Sequence, residues 1–323
     1  MILLCLQVDI FSTGLPKIST FGINLDNRDI LEQIKSDPQL FVREIKKNIA
    51  IDEAQKAPNL FDAIKARVDS GTNIKFILSG STNFILYGGF PKIYELSGDM
   101  RYQWFADYIS TYIERDIRQI SQIADLSSFQ SLYKTLSFQI SNLLNKSNIA
   151  NNIDIDFKTV QHYISVLEAS YQINLLSPYS GKFKTQVSKS PKIYMYDNGI
   201  LNFYQRNFDI ESMINRGAWG AIFENHVFCE LYKSIKDMVI KPSLSFWRNK
   251  NDTEVDFIID DTYNTYPIEV KTSSVVRSAQ CRALQSFISQ SKKNIPFAMV
   301  IHRCEKPYLI KENVIGIPVG LLY

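Results

Sequence analysis

The sequence predicts a multidomain α/β protein, and three observations point to it. Two short apolar strands that end in polar residues, 48–53 and 74–83, lie either side of the helical run Asn59 to Val68. Near the other end, two strands joined by a turn occupy 253–271, between a helical run around Glu224 and another from Ser278 to Lys292. The length of 323 residues exceeds what one core usually fills and implies two or three domains.

In the first part, Asn48-Ile49-Ala50-Ile51-Asp52-Glu53 places adjacent acids at the carboxyl end of a strand, where α/β sheets bind ligands. An Asp in that position can hold Mg²⁺ and a Glu can polarise water. The strand Ile74 to Asn83 ends in Ser79, Gly80, Ser81, Thr82 and Asn83, small polar groups that can sense a terminal phosphate. This pair of segments resembles the Walker B and sensor-1 segments of a prokaryotic AAA-type ATPase family that carries a C-terminal domain of unknown function. Gly22 to Asp26 and Asp37 to Phe41 look like its linking segments, and the resemblance runs through nearly the whole chain.

The resemblance implies a P-loop-type α/β sheet over 1–99, with ATP as the family's ligand. No G-x-x-x-x-G-K-[ST] occurs; Gly14, Lys17 and Ser19 come in the wrong order, and Gly181-Lys182 is followed by Phe183. The loop whose backbone N–H groups and lysine grip the phosphates is therefore missing, and by the resemblance it would fall before Met1. The family's Gly-Arg segment after Asn83 is also absent, since Phe84 to Tyr87 run straight into Gly88-Gly89-Phe90-Pro91. The first part is thus expected to be a truncated remnant that does not turn over ATP, with Asp52, Glu53 and Asn83 as nucleotide-binding relics. An AAA-type parent implies a hexamer, but these two losses remove the basis for expecting a homo-oligomer here.

A helical pattern begins at Met100, with Trp104, Phe105, Tyr108, Ile109, Tyr112 and Ile113 spaced by three and four, and continues through Glu114-Arg115-Asp116-Ile117. It looks like the family's connector. A long apolar helix is expected from Ser128 to Leu144. A short helix near Asn145 to Ala150, a helix Phe157 to Ala169 capped by Asp156, and a strand Tyr171 to Leu176 follow. That is the order of a winged helix, which gives the middle domain, 100–205, an expected partner in DNA. Lys158 and Gln161 lie off the apolar stripe of the second helix; Lys182, Lys184, Lys189 and Lys192 fall in a short polar run that reads as the wing. The alternative is a solvated hairpin and a helix used for packing. His162 reads as an ordinary polar-face histidine. Asp197 and Gly199, in a segment similar to the family's, read as turn-makers.

The last part, 206–323, centres on Thr253-Glu254-Val255-Asp256-Phe257-Ile258-Ile259 and Pro267-Ile268-Glu269-Val270-Lys271. Period-two alternation puts Glu254 with Asp256 on one arm and Glu269 with Lys271 on the other, while Ile268 and Val270 face the core. Two carboxylates can hold a hard divalent ion, and an ammonium beside them can orient water and offset phosphate charge. Here the chain resembles the PD-(D/E)XK nuclease-like superfamily, whose helix, three strands, helix, strand order matches. The resemblance implies Mg²⁺ on Asp256 and Glu269, Lys271 at the water and Glu224 assisting. The same pattern also fits a solvated strand face without chemistry.

A net charge of +3 does not by itself announce nucleic-acid binding, so any basic patch is local. Cys5, Cys229, Cys281 and Cys304 contain no CxxC pair, and neither a disulfide framework nor a zinc site is expected. Met1 to Leu6 reads as a buried strand, no stretch is long enough to span a membrane, and a cytoplasmic location follows as the expectation. The functional expectation is a degenerate AAA-type, DNA-associated protein with a metal-dependent nuclease-like end. The alternatives are a non-catalytic DNA-binding or interaction module, or part of a longer active ATPase.

Overall fold

The computed structural model describes residues 21–25, 27–52, 56–57, 59–74, 76–78, 81–113, 115, 123, 125–180, 190–304 and 306–322. The chain divides into two compact units, Met1–Asn83 with Gly320–Tyr323, and Phe84–Val319. The domain limits expected at 99 and 205 both fall inside the second unit.

In the first unit, β1 (Phe21–Asn24), β2 (Ile49–Asp52) and β3 (Phe76–Leu78) form a parallel sheet in that order, with Asn24 opposite Asp52. Helices α1 (Arg28–Ser36), α2 (Pro38–Glu44) and α3 (Asn59–Asp69) follow β1 and β2. Asn27 caps α1 by accepting from Asp29 N at 3.0 Å, and Asp37 caps α2 by accepting from Leu40 N at 2.8 Å. Asp37-Pro38 is thus a helix start with proline in its first turn. Ile23, Leu25, Ile34, Val42, Ile49, Ile51, Leu60 and Ile64 make the core. Asp52 ends β2; Glu53, the strand expected at Met1 to Leu6, and Gly14 to Thr20 lie outside the described residues. Asn83 belongs to helix α4 (Ser81–Tyr87), because strand pairing ends at Leu78.

In the second unit, α5 (Pro91–Glu95) and α6 (Asp99–Tyr108) lead into a π-helical turn, Ile109–Ile113. The aromatic spacing of three and four brings Trp104 onto Tyr108, stacked at 5.2 Å, and Phe90 to 4.8 Å from Tyr108. Helices α7 (Leu126–Ser137), α8 (Lys146–Ile153) and α9 (Phe157–Ala169) precede the antiparallel pair β4 (Ile173–Leu176) and β5 (Lys192–Met195). The helix expected to reach Leu144 stops at Ser137. Its continuation turns through Ser141, at φ +61°, to line the second edge of β5, with Ser141 N on Ile193 O at 2.7 Å and Leu144 N on Pro191 O at 2.8 Å. The backbone bonds that β5 offers on that side outweigh about two more turns of apolar helix.

Helices α10 (Asn198–Gln205), α11 (Ile210–Asn215) and α12 (Trp219–Lys236) follow. Asp197 caps α10 through Ile200 N at 2.9 Å, and its other oxygen accepts from Gly89 N at 2.7 Å, so the turn-maker also clasps a segment far away in sequence. A mixed six-stranded sheet completes the unit: β6 (Ser243–Arg248), β7 (Glu254–Asp260), β8 (Thr265–Val270), β9 (Ala298–His302), β10 (Tyr308–Lys311) and β11 (Val314–Pro318), in the order β10-β11-β9-β8-β7-β6. Helix α13 (Arg282–Gln290) buries Leu284 and Phe287 against Trp247, Val255, Ile258 and Val300. It is shorter than the run expected from Ser278, whose first turn is a 3₁₀ segment, Ser278–Cys281. The hairpin arms are shifted from the expected ones, and Lys271 lies just past β8, where its N–H donates to Ile301 O at 3.0 Å. Ile268 is fully buried and Val270 half-buried.

Candidate functional site

Two of the acids expected from the sequence, Glu224 and Asp256, meet around a residue placed elsewhere by the same reading. Lys192, counted among the wing lysines, is the first residue of β5 and only 1% exposed. Its Nζ lies 3.0 Å from Glu224 Oε1, in direct contact with Glu254 Oε1, and 3.9 Å from Asp256 Oδ1. A phosphate-contacting role is excluded for it by this burial. The local run is polar, but β5 itself is buried along its length.

Each partner is held by its element. Glu224 projects from α12, whose next residue, Asn225, accepts from Met195 N at 2.8 Å and donates to Met195 O at 3.0 Å, locking the helix to β5. Tyr194 donates its hydroxyl to Glu224 Oε1 at 2.6 Å, and its ring stacks on Phe228 at 4.4 Å. Asp256 sits at a β-bulge: Trp247 pairs with Val255 and Ser245 with Ile258, so β7 carries one extra residue there. Val255 and Ile258 consequently share a core despite their opposite parity, and Asp256 is re-aimed within the extra step. Its Oδ2 accepts from Val270 N at 2.7 Å.

Glu269 and Lys271 pair with each other, Nζ to Oε1, at 2.6 Å. The second oxygen of Glu269 is buried and finds no hydrogen-bond partner among the described residues. Arg248 reaches Glu254 Oε2 at 3.3 Å. The structure thus brings Glu224, Asp256, Glu269 and Lys271 into one electrostatically linked cluster and adds Lys192, Tyr194, Glu254 and Arg248. A lysine inside a strand flanked by Ile193, Tyr194 and Met195 was the signal that could have placed Lys192 there.

Burial, and then the nearby Asp256 charge, push the Glu269 carboxyl up to about 8 and that of Glu224 up to about 7. Burial works against the charge on Lys192, yet Glu224, Asp256 and Glu254 hold it well above the ordinary lysine value. Lys271 is raised in the same way, chiefly by Glu269 against the cost of burial. Arg248 is shared with Asp252 at 3.0 Å, so with every acid ionised Glu224, Asp252, Glu254, Asp256 and Glu269 outnumber Lys192, Arg248 and Lys271 by two charges. Burial favours a retained proton on Glu269, whose second oxygen has no partner among the described residues.

As arranged, these acids do not fit a hard divalent ion. Its ligands would have to converge at roughly 2.0–2.6 Å, whereas three of these carboxylates are turned to an ammonium and the fourth to Lys271. Among the described residues no group of three or more His, Cys, Asp and Glu side chains is spaced to hold a metal ion.

Lys158 and Gln161 are exposed on α9, while Val160, Tyr163, Ile164 and Leu167 are buried beneath it. Lys182, Lys184 and Lys189 lie outside the described residues, as does Glu53. Asp52 and Asn83 belong to different elements, a strand end and a helix. No helix among the described residues is long and apolar enough to cross a membrane.

Comparison with known proteins adds a family context. An AAA domain family matches residues 5–94, a domain of unknown function (DUF8612) matches 80–211, and a second one (DUF4143) matches 219–322. The first and last of these support an AAA-type ATPase-like family. Two uncharacterized proteins, Rv2008c of Mycobacterium tuberculosis and Mb2031c of Mycobacterium bovis, are each 22% identical to this chain over 88% of its length and 71% of theirs. The crystal structure of protein VC1899 from Vibrio cholerae covers 88% of this chain and 77% of its own at 10% identity, with a TM-score of 0.24, too low to bear on the fold.

Proposed function

We propose that this chain is a DNA-associated protein of the AAA-type ATPase-like class whose nucleic-acid contact is made by α9 and the segment joining β4 to β5. The observation that carries the reading is the outer face of α9. Lys158, Gln161, His162 and Ser165 are exposed on a helix that Asp156 caps through Lys158 N at 2.9 Å and Thr159 N at 3.1 Å. Three helices followed by an antiparallel strand pair have the element order of a winged helix, whose second helix of the pair enters a major groove. Lys182, Lys184 and Lys189, between those strands in sequence, supply phosphate contacts that ignore base identity. Asp52, Glu53 and Asn83 are relics of nucleotide binding on this reading. Fluorescence anisotropy with duplex DNA at several salt concentrations tests it: binding is expected to weaken steeply with salt, and to be lost or sharply reduced in the Lys158→Glu, Gln161→Ala double variant. Wild-type-like binding by that variant ends the assignment to α9.

A further inference from the structure

A buried lysine is costly unless acids surround it, and removing one member of such a group leaves charge stranded in low dielectric. Lys192 satisfies that condition threefold, with Glu224 at 3.0 Å, Glu254 in contact and Asp256 at 3.9 Å. These three carboxylates already share one cation, the Lys192 ammonium. Its Nζ lies 5.7 Å from the centre of the Phe246 ring. The backbone of β5 is bonded on one edge to β4 and on the other to Ser141, Asn142 and Leu144.

We propose that Lys192 is a tethered cation: its ammonium stands where a divalent ion would stand among Glu224, Glu254 and Asp256, and a divalent-cation site opens only when that side chain is shortened. The chain carries its own counter-ion, so the pocket keeps its shape without drawing on metal from solution. Lys271 holds the fourth acid, Glu269, in the same manner at 2.6 Å. An ammonium delivers one charge through N–H donors about 3 Å from oxygen, whereas a hard divalent ion delivers two at about 2 Å. Removing the nitrogen therefore leaves carboxylates that can close around a metal.

The test uses the full chain, with Mn²⁺ and Mg²⁺ as probes. Thermal unfolding of the wild type is expected not to shift across a millimolar titration of either ion, and calorimetric titration with Mn²⁺ is expected to show no saturable site. Lys192→Ala is expected to melt lower than wild type and to recover part of the loss as Mn²⁺ is added. That recovery is expected to vanish when Glu224→Gln is combined with it. A saturable Mn²⁺ site in the wild type that is lost in Glu224→Gln or Asp256→Asn overturns the proposal. So does a folded Lys192→Ala that gains no response to either ion. If Lys192→Ala does not fold, the wild-type titration with its Glu224→Gln control decides alone. None of these readouts involves DNA, so a failure here and a failure of the α9 assignment are told apart.

Discussion

At the scale of single residues, Lys192 and Glu269 set what the pocket is. Removing the ammonium strands three acids, and Lys192→Met is expected to cost about 3–5 kcal/mol, the usual penalty for breaking a buried ion group from one side, read as a lowered urea midpoint. Glu269 gives a pH signature. Its carboxyl is raised from 4.5 to about 8, so the folded chain holds a proton that the unfolded chain has released. Stability from this group is complete below pH 4.5 and is lost as pH rises toward about 8. Urea midpoints measured across that window are expected to decline in the wild type and to decline less in Glu269→Gln; equal slopes would refute the assignment of the retained proton. Gly88 is a third such residue. It has φ +74°, and an added Cβ would come within 2.3 Å of the Asp197 carboxylate. Gly88→Ala is expected to lose roughly 1–2 kcal/mol from backbone conformation alone and more from the clash, seen as a lower melting temperature than that of Gly71→Ala, where a Cβ meets nothing.

At the scale of elements, the pocket depends on how α12 is docked. Asn225 is fully buried and pairs with both backbone groups of Met195, taking the place of a neighbouring strand for that residue of β5. Asn225→Leu leaves the Met195 N–H without that partner, at about 1–3 kcal/mol, and its C=O with the Cys229 thiol at 3.2 Å as the remaining donor. Because Glu224 is the adjacent residue, the Tyr194 environment is expected to change with it, measurable as altered near-ultraviolet circular dichroism in a variant that keeps its helix content. An unchanged spectrum would mean that Asn225 does not position Glu224. The bulge in β7 acts at the same scale. Strict alternation foresaw Glu254 and Asp256 together, and both do reach Lys192. It did not foresee that Val255 and Ile258 would share one core, because register against β6 is a property of two strands. The capped start of α9 was legible because Asp156 and the apolar stripe lie within one short window. The end of α7 was not, because the bonds that pull Ser141 to Leu144 out of the helix belong to β5, some fifty residues on.

At the scale of the molecule, a net charge of +3 over 323 residues supplies little general attraction for nucleic acid. Any affinity for DNA rests on a few local lysines, so the salt dependence counts them. Each phosphate contact contributes about 0.9 to the slope of log K against log salt. The Lys182→Ala, Lys184→Ala, Lys189→Ala triple variant is expected to flatten that slope by about 2–3 while leaving the melting temperature close to wild type. A slope equal to that of the wild type would place the contacts elsewhere.

The sequence by itself determined the α/β alternation, the acid-bearing strands at 253–271, the helix that carries Glu224 and the capped helix with Lys158 and Gln161 on its outer face. All of these follow from periodicities and capping patterns confined to one element. Only the tertiary structure decided that Lys192 leaves the company of the wing lysines and lies among Glu224, Glu254 and Asp256. A local pattern reports whether a side chain sits in a polar or apolar stretch. It does not report which charges from a distant helix and hairpin will be buried beside it, and that pairing is what makes the difference between a cation site open to solution and one already filled from within.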